Sequence, residues 1–222
     1  MNYLYLCFIC LIIMCLFINA EVKQKYLLAV ILKGLASLCF VIFGILSSIQ
    51  VLDMQFAKMV KIGLLLGMIA DVLLNLRFLF KKGKIFFLIG ILVFLAGHIL
   101  YLCALIPSCN NVVLAVVVAV IATAITLFLI FKVIDASIVF KVFGVFYIGT
   151  IVFMNVVAIM NLIANPITSN IIYTIGAISF LISDIVLIIN TFGKTSKTSL
   201  RITNLSLYYI GQLLIALSLQ FM

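Results

Sequence analysis

The sequence predicts an all-α, polytopic membrane protein with eight transmembrane helices arranged as two parallel four-helix repeats, and three observations carry that prediction. Of 222 residues, 68% are hydrophobic and only 9% are charged, with a mean hydropathy of +1.51. The apolar residues fall into eight runs, each near the roughly 20 residues that span a hydrocarbon core about 30 Å thick. A short motif containing a carboxylate recurs four spans apart.

The spans read as 2–19, 27–50, 59–80, 85–106, 112–131, 138–160, 170–192 and 202–222. The segments between them are too short for a soluble domain. Residues 1–222 are therefore expected to form a single transmembrane bundle whose backbone hydrogen bonds close within the helices. The first span ends in "INAEVKQK", which looks like a signal-peptide cleavage region. No basic segment precedes it, so the span reads as a retained helix. Five of the six cysteines lie within spans and only Cys109 falls in a connection, a distribution that argues against a disulfide framework. Cys7 and Cys10 form a C-x-x-C on a helix, but no histidine or second pair accompanies them, and small buried side chains explain both.

Net charge +9 suggests nucleic acid until the charges are placed along the chain. Counted by alternate sides, Lys23, Lys25, Lys33, Arg77, Lys81, Lys82, Lys84, Lys132, Lys141, Lys194, Lys197 and Arg201 share one side, against Lys58 and Lys61 on the other. That bias is membrane sidedness, with attraction to anionic lipid at most, and no nucleic acid is implied. By the positive-inside rule both termini face away from the cytoplasm, as expected for a protein of the cell membrane.

The motif reads "GLLLGMIADVLL" in the third span and "GAISFLISDIVL" in the seventh, aligning Gly63 with Gly176 and Asp71 with Asp184. Spans four apart run in the same direction, as parallel repeats require. Each Asp precedes a lysine by the same interval, Lys81 and Lys194, which places both carboxylates about 15 Å from the basic ends of their helices. The other acids, Glu21, Asp53 and Asp135, fall at span ends or in connections. An ionised Asp at a helix centre costs roughly 2.5 to 3.5 kcal/mol. If the two helices are neighbours, the expected solution is a pair of carboxyls holding one proton. Hydrogen bonding to an adjacent helix is the plainer reading of either Asp alone.

Other polar residues converge on the same level. Lys33 lies about 12 Å into the second span, where it either snorkels to the interface or faces the acids, and Tyr147 about 9 Å into the sixth. Tyr208 and Gln212 lie about 10 and 17 Å into the eighth, and His98 about 21 Å into the fourth. Lone His98 lacks the company that metal ligation needs, and a hydrogen-bonded packing role suits it as well as a chemical one. Gly63, Gly67, Asp71 and Asn75 share one helical face, on which the glycines permit close packing. Asn155 reads as helix glue.

These residues resemble the YhhN-like lysoplasmalogenases, eight-helix integral membrane hydrolases. The resemblance rests on Lys33, on Gly63 with Asp71, on "GHILY" with His98 and Tyr101, on Tyr147, on "GAISFLISD" with Ser183 and Asp184, and on "YYIGQLLIA" with Tyr208, Tyr209 and Gln212. Gly34, Ala70 and Gly211 depart from the family's common residues by small side chains. The resemblance implies hydrolysis of the vinyl ether bond of a lysoplasmalogen, taken from the bilayer, to a fatty aldehyde and a glycerophospho-headgroup. The residues suit that chemistry. Protonating the outer alkene carbon creates an oxocarbenium ion that water traps, which calls for an acid, a nearby negative charge and a positioned water. No metal or cofactor is required. Asp184 is expected as the acid and Asp71 as its partner, while Lys33 binds the lipid phosphate or holds one Asp ionised. The rival reading is a small proton-coupled transporter, since repeats and midplane acids mark those proteins too. Headgroup preference and oligomeric state have no signature in the sequence.

Overall fold

Eight helices emerge where the apolar runs lie: α1 (Tyr5–Val22), α2 (Tyr26–Ser47), α3 (Met54–Leu76), α4 (Gly83–Leu105), α5 (Val112–Val133), α6 (Ile138–Ala164), α7 (Thr168–Phe192) and α8 (Thr198–Ser218). The computed structural model describes residues 3–222; residue 2, the expected start of the first span, lies outside them. All eight helices are long and apolar enough to cross a membrane. The chain is an integral membrane protein. Its surface has the composition that lipid demands: α5 alone turns Val113, Val120, Ile125, Phe128 and Leu129 outward, a face that water would not tolerate.

Local chemistry explains where helices begin and turn. Asp53 caps α3 by accepting hydrogen bonds from the backbone N–H groups of Gln55 and Phe56, and Asn111 caps α5 through the N–H of Leu114. The tight α1–α2 connection is closed by Gln24 at φ 56°, a left-handed conformation that an L side chain adopts only under constraint. Lys25 N–H then reaches back to the Ala20 carbonyl at 2.9 Å. An antiparallel bridge between Ile134 and Gly193 ties the α5–α6 connection to the end of α7.

The largest departure from the sequence reading is at α3, which runs from Met54 to Leu76 and not from 59 to 80. Phe78, Leu79 and Phe80 are apolar enough to count toward a span, yet they form a turn. Gly83 explains the turn's tightness, because a Cβ there would sit 2.3 Å from the Arg77 carbonyl oxygen. Asp71 therefore lies five residues, about 7.5 Å, from its helix end, whereas Asp184 lies eight residues, about 12 Å, from the end of α7. The expected equal depth of about 15 Å is corrected accordingly.

The repeat is visible in the packing. α3 packs on α4 and α7 packs on α8, each crossing made close by glycine. A Cβ on Gly97 would lie 3.2 Å from the Gly63 carbonyl oxygen, and a Cβ on Gly211 would lie 2.9 Å from that of Gly176. The halves meet through α2 on α8 and α6 on α4, contacts that interchange when the halves are exchanged. Matched by these crossings, "GH" at Gly97–His98 corresponds to "GQ" at Gly211–Gln212, and Tyr147 meets Asp184 as Lys33 meets Asp71. The outer helices break the symmetry: α1 also packs on α8, but α5 packs on α7.

Gly211→Ala is expected to lower thermal stability by about 1–3 kcal/mol, because its Cβ meets backbone that cannot swing aside. Gly144→Ala, whose Cβ meets nothing within 4 Å, should leave the unfolding midpoint unchanged or raised. Thermal unfolding of both variants in detergent checks the pair.

Candidate active site

A carboxylate on an apolar helix has to find its donors on neighbouring helices, and Asp71 finds three. Lys33 Nζ of α2 lies 3.0 Å from its Oδ1, while the Ser37 hydroxyl and the Tyr208 hydroxyl donate to Oδ2 at 2.5 and 2.6 Å. Lys33 and Ser37 are four apart on one face of α2, so one helix delivers two donors together. Lys33 is only 3% exposed and turns inward, away from the interface to which it was free to snorkel. One cation and two hydroxyls thus converge on the Asp71 carboxyl group.

Asp184 is treated differently. Its Oδ2 accepts a hydrogen bond from the Tyr147 hydroxyl of α6 at 2.6 Å, and no cation pairs with it among the described residues. Tyr147 occupies the place in the second half that Lys33 occupies in the first. The duplicated acids therefore sit in matched positions with unmatched partners.

The expectation of a carboxyl pair is conditional on adjacent helices, and in this geometry the two carboxyls do not meet directly. α3 and α7 are not packed neighbours, and α8 lies against both. Each carboxylate has its own donors, and no hydrogen bond joins them among the described residues. What they share is a chamber. Asp71 and Asp184 both line a cavity of about 80 Å³ together with Lys33, Tyr147 and Tyr208. That is several times the volume one water needs, about 10–15 Å³. Most of the remaining wall is apolar, with Phe94 and Ile148 on one side and Phe140 and Ile134 toward the basic end, where Arg77 and Arg201 also line it.

The remaining expected site residues stand behind this wall. Tyr209 donates to the Lys33 carbonyl at 3.4 Å and lies 3.3 Å from the Ser37 hydroxyl, steadying the α2 donors. The Tyr101 hydroxyl donates to Gln212 Oε1 at 2.9 Å, joining α4 to α8. His98 Nδ1–H donates to the Phe94 carbonyl at 2.8 Å, and its ring packs 4.5 Å from Phe180, so it serves the aromatic wall. Ser183 exchanges hydrogen bonds with Asn204 and fastens α7 to α8. Asn75 donates to Glu21 Oε2 at 3.3 Å.

Sequence reasoning missed several residues. Glu21, expected at a span end, forms a two-point ion pair with Arg201 at 2.7 and 3.0 Å. Their separation along the chain left no local signal. Ser37 and Asn204 were signalled only by helical spacing, four residues from Lys33 and from Tyr208. Arg77 lies beyond the end of α3, over the rings of Phe78 and Phe87. Burial, aided by the like charge of Arg201, pushes its pKa down to about 10, which still leaves it a cation at neutral pH.

Fold and site together define a polytopic membrane protein with duplicated helices and a buried carboxylate chamber. A model of the YhhN family matches residues 28–219, and the chain belongs to that family. The match begins inside α2, and α1, which precedes it, contributes no residue to the chamber wall. No curated protein and no solved structure matches the chain.

Lys33→Met is expected to destabilise the protein by about 3–5 kcal/mol, because it strands a buried carboxylate. Adding Asp71→Asn to that variant should recover most of the loss. Thermal unfolding of the single and double variants in detergent measures the difference.

Proposed function

We propose that this protein is an intramembrane hydrolase that cleaves the vinyl ether bond of lysoplasmalogens, releasing a fatty aldehyde and a glycerophospho-headgroup. One observation carries the reading: an ion-paired carboxylate and a cation-free carboxyl face a single chamber with room for water. Membership of the YhhN family supports it.

The chemistry follows from that difference in partners. Asp184, paired with no cation among the described residues, carries the proton and delivers it to the outer alkene carbon. The alkene's electron pair forms the new C–H bond, and the inner carbon becomes an oxocarbenium ion. Asp71, fixed as an anion by Lys33, Ser37 and Tyr208, stabilises that cation across the chamber. Water adds to the inner carbon as its proton passes to Asp184, giving a hemiacetal and restoring the acid. The hemiacetal collapses as its hydroxyl proton moves to the glycerol oxygen and the C–O bond breaks. One water is consumed and nothing is oxidised or reduced. Tyr147 orients the Asp184 carboxyl through its hydrogen bond to Oδ2.

The substrate is an amphiphile that reaches the chamber from the bilayer. The basic end of the bundle, where Arg77 and Arg201 lie, is the cytoplasmic side by the positive-inside rule, with both termini opposite it in the cell membrane. The chamber closes at Phe94, midway along α4, which suits a reaction pocket better than a transport path.

Purified protein should release aldehyde from a vinyl-ether lysophospholipid and none from its saturated-ether twin, which has no alkene to protonate. Asp184→Asn and Asp71→Asn should each lower the rate by about 10²-fold or more with folding retained. Proton-coupled solute flux in liposomes without any aldehyde would overturn the reading in favour of a transporter.

A further inference from the structure

Three cationic side chains border the chamber: Lys33, Arg201 and Arg77. Lys33 is paired with Asp71 and Arg201 with Glu21. Arg77 has no carboxylate partner among the described residues, and its Nε is buried without a hydrogen-bond acceptor. Its guanidinium is held between two aromatic rings, 4.6 Å from the centre of Phe78 and 4.7 Å from that of Phe87. That arrangement fixes the planar fork while leaving its donors unused. Arg77 also joins two spaces. It lines the carboxylate chamber on one side, and on the other a shallow polar pocket at the basic end, beside Ser196, Lys197, Thr198 and the Arg201–Glu21 pair.

We infer that Arg77, backed by Arg201 and Lys197, is the docking site for the phosphate of a lysophospholipid. The inference rests on the proposed function in taking that lipid as the occupant. A guanidinium lacking an anion, at the junction of a polar mouth and an apolar chamber, matches a ligand that is anionic at one end and apolar beyond it. The Arg201–Glu21 pair is internally neutral, so Glu21 does not cancel the charge offered by Arg77.

Length agrees with charge. Arg77 follows Asp71 by six residues, about 9 Å along the helix direction. In a lysoplasmalogen, seven bonds separate phosphorus from the outer vinyl carbon, and an extended chain advances about 1.2 Å per bond, giving about 8 Å. A phosphate on Arg77 therefore places the vinyl ether at the level of Asp71, inside the chamber that Asp184 also lines.

Binding of an uncleavable ligand separates this inference from the hydrolase reading. Wild type and Arg77→Gln are titrated in detergent with a saturated 1-O-alkyl lysophospholipid and with the alkylglycerol of equal chain length, with affinity taken from the shift in thermal unfolding. Wild type should prefer the phosphate-bearing ligand by about tenfold or more, the worth of a charge-assisted hydrogen bond. Arg77→Gln should lose most of that preference while binding the alkylglycerol as before, which also reports that it folds. Equal affinity of wild type for the two ligands overturns the inference without recourse to the variant, and so does an undiminished preference in Arg77→Gln. Inorganic phosphate alone forms the last arm. If it stabilises wild type as well as the lipid does, and Arg77→Gln abolishes that effect, the site takes free phosphate and the lipid assignment falls.

Discussion

A carboxylate inside a bilayer has to be matched by a cation or remain protonated, and the Lys33–Asp71 pair meets the first of these conditions. Much of the interior is organised around it. Ser37 and Tyr208 complete the coordination of Asp71, and Tyr209 braces the strip of α2 from which Lys33 and Ser37 project. In the second half, Tyr147 stands where Lys33 stands in the first, so Asp184 meets a neutral donor. The repeated motif carries one acid in each half, and the two acids differ in partner, a cation for Asp71 and a neutral hydroxyl for Asp184. A proton donor and an anion are the two components that vinyl ether hydrolysis needs together.

The scaffold supplies rigidity where the two acids are held and openness where a ligand passes. Glycine crossings draw α3 onto α4 and α7 onto α8, and the Ser183–Asn204 bonds lock α8 beside α7, so that Tyr208 reaches Asp71 from a fixed helix. Phe94 lines the chamber, backed by Phe180 and by the His98 ring, whose Nε2 is buried without a hydrogen-bond partner among the described residues. At the basic end the packing loosens. α5 buries only a few residues and faces lipid along most of its length, and Gly144 opens on empty space. A lipid tail meets less resistance there than in the core.

Hydropathy made the eight spans and the repeated Gly–Asp motif legible, because lipid solvation imposes a long, uniform apolar signal. The same signal misjudged α3. Phe78, Leu79 and Phe80 satisfy lipid as a turn equally well as they would as helix, so their apolar character says nothing of where hydrogen bonding stops. The second half of the repeat, "GH" against "GQ", was present in the sequence but is too short to recognise until the crossings of α3 on α4 and α7 on α8 are superposed. Lys33, Tyr147 and Tyr208 were legible as polar groups near the level of the acids, but which acid each meets was not, nor were Ser37 and the Glu21–Arg201 pair, because helix order around a bundle decides those meetings. The two carboxyls lack a direct hydrogen bond for that reason: equal motifs fix direction across the membrane, not adjacency of α3 and α7.

The proposed chemistry requires that Asp71 be an anion and that Asp184 hold a proton in the resting protein. Infrared spectroscopy of the purified protein reads this directly through the C=O stretch of a protonated carboxylic acid, which shifts when solvent is exchanged for deuterium oxide. The account predicts that band in wild type, its loss in Asp184→Asn and its persistence in Asp71→Asn. A band that vanishes with Asp71→Asn and survives Asp184→Asn would contradict it.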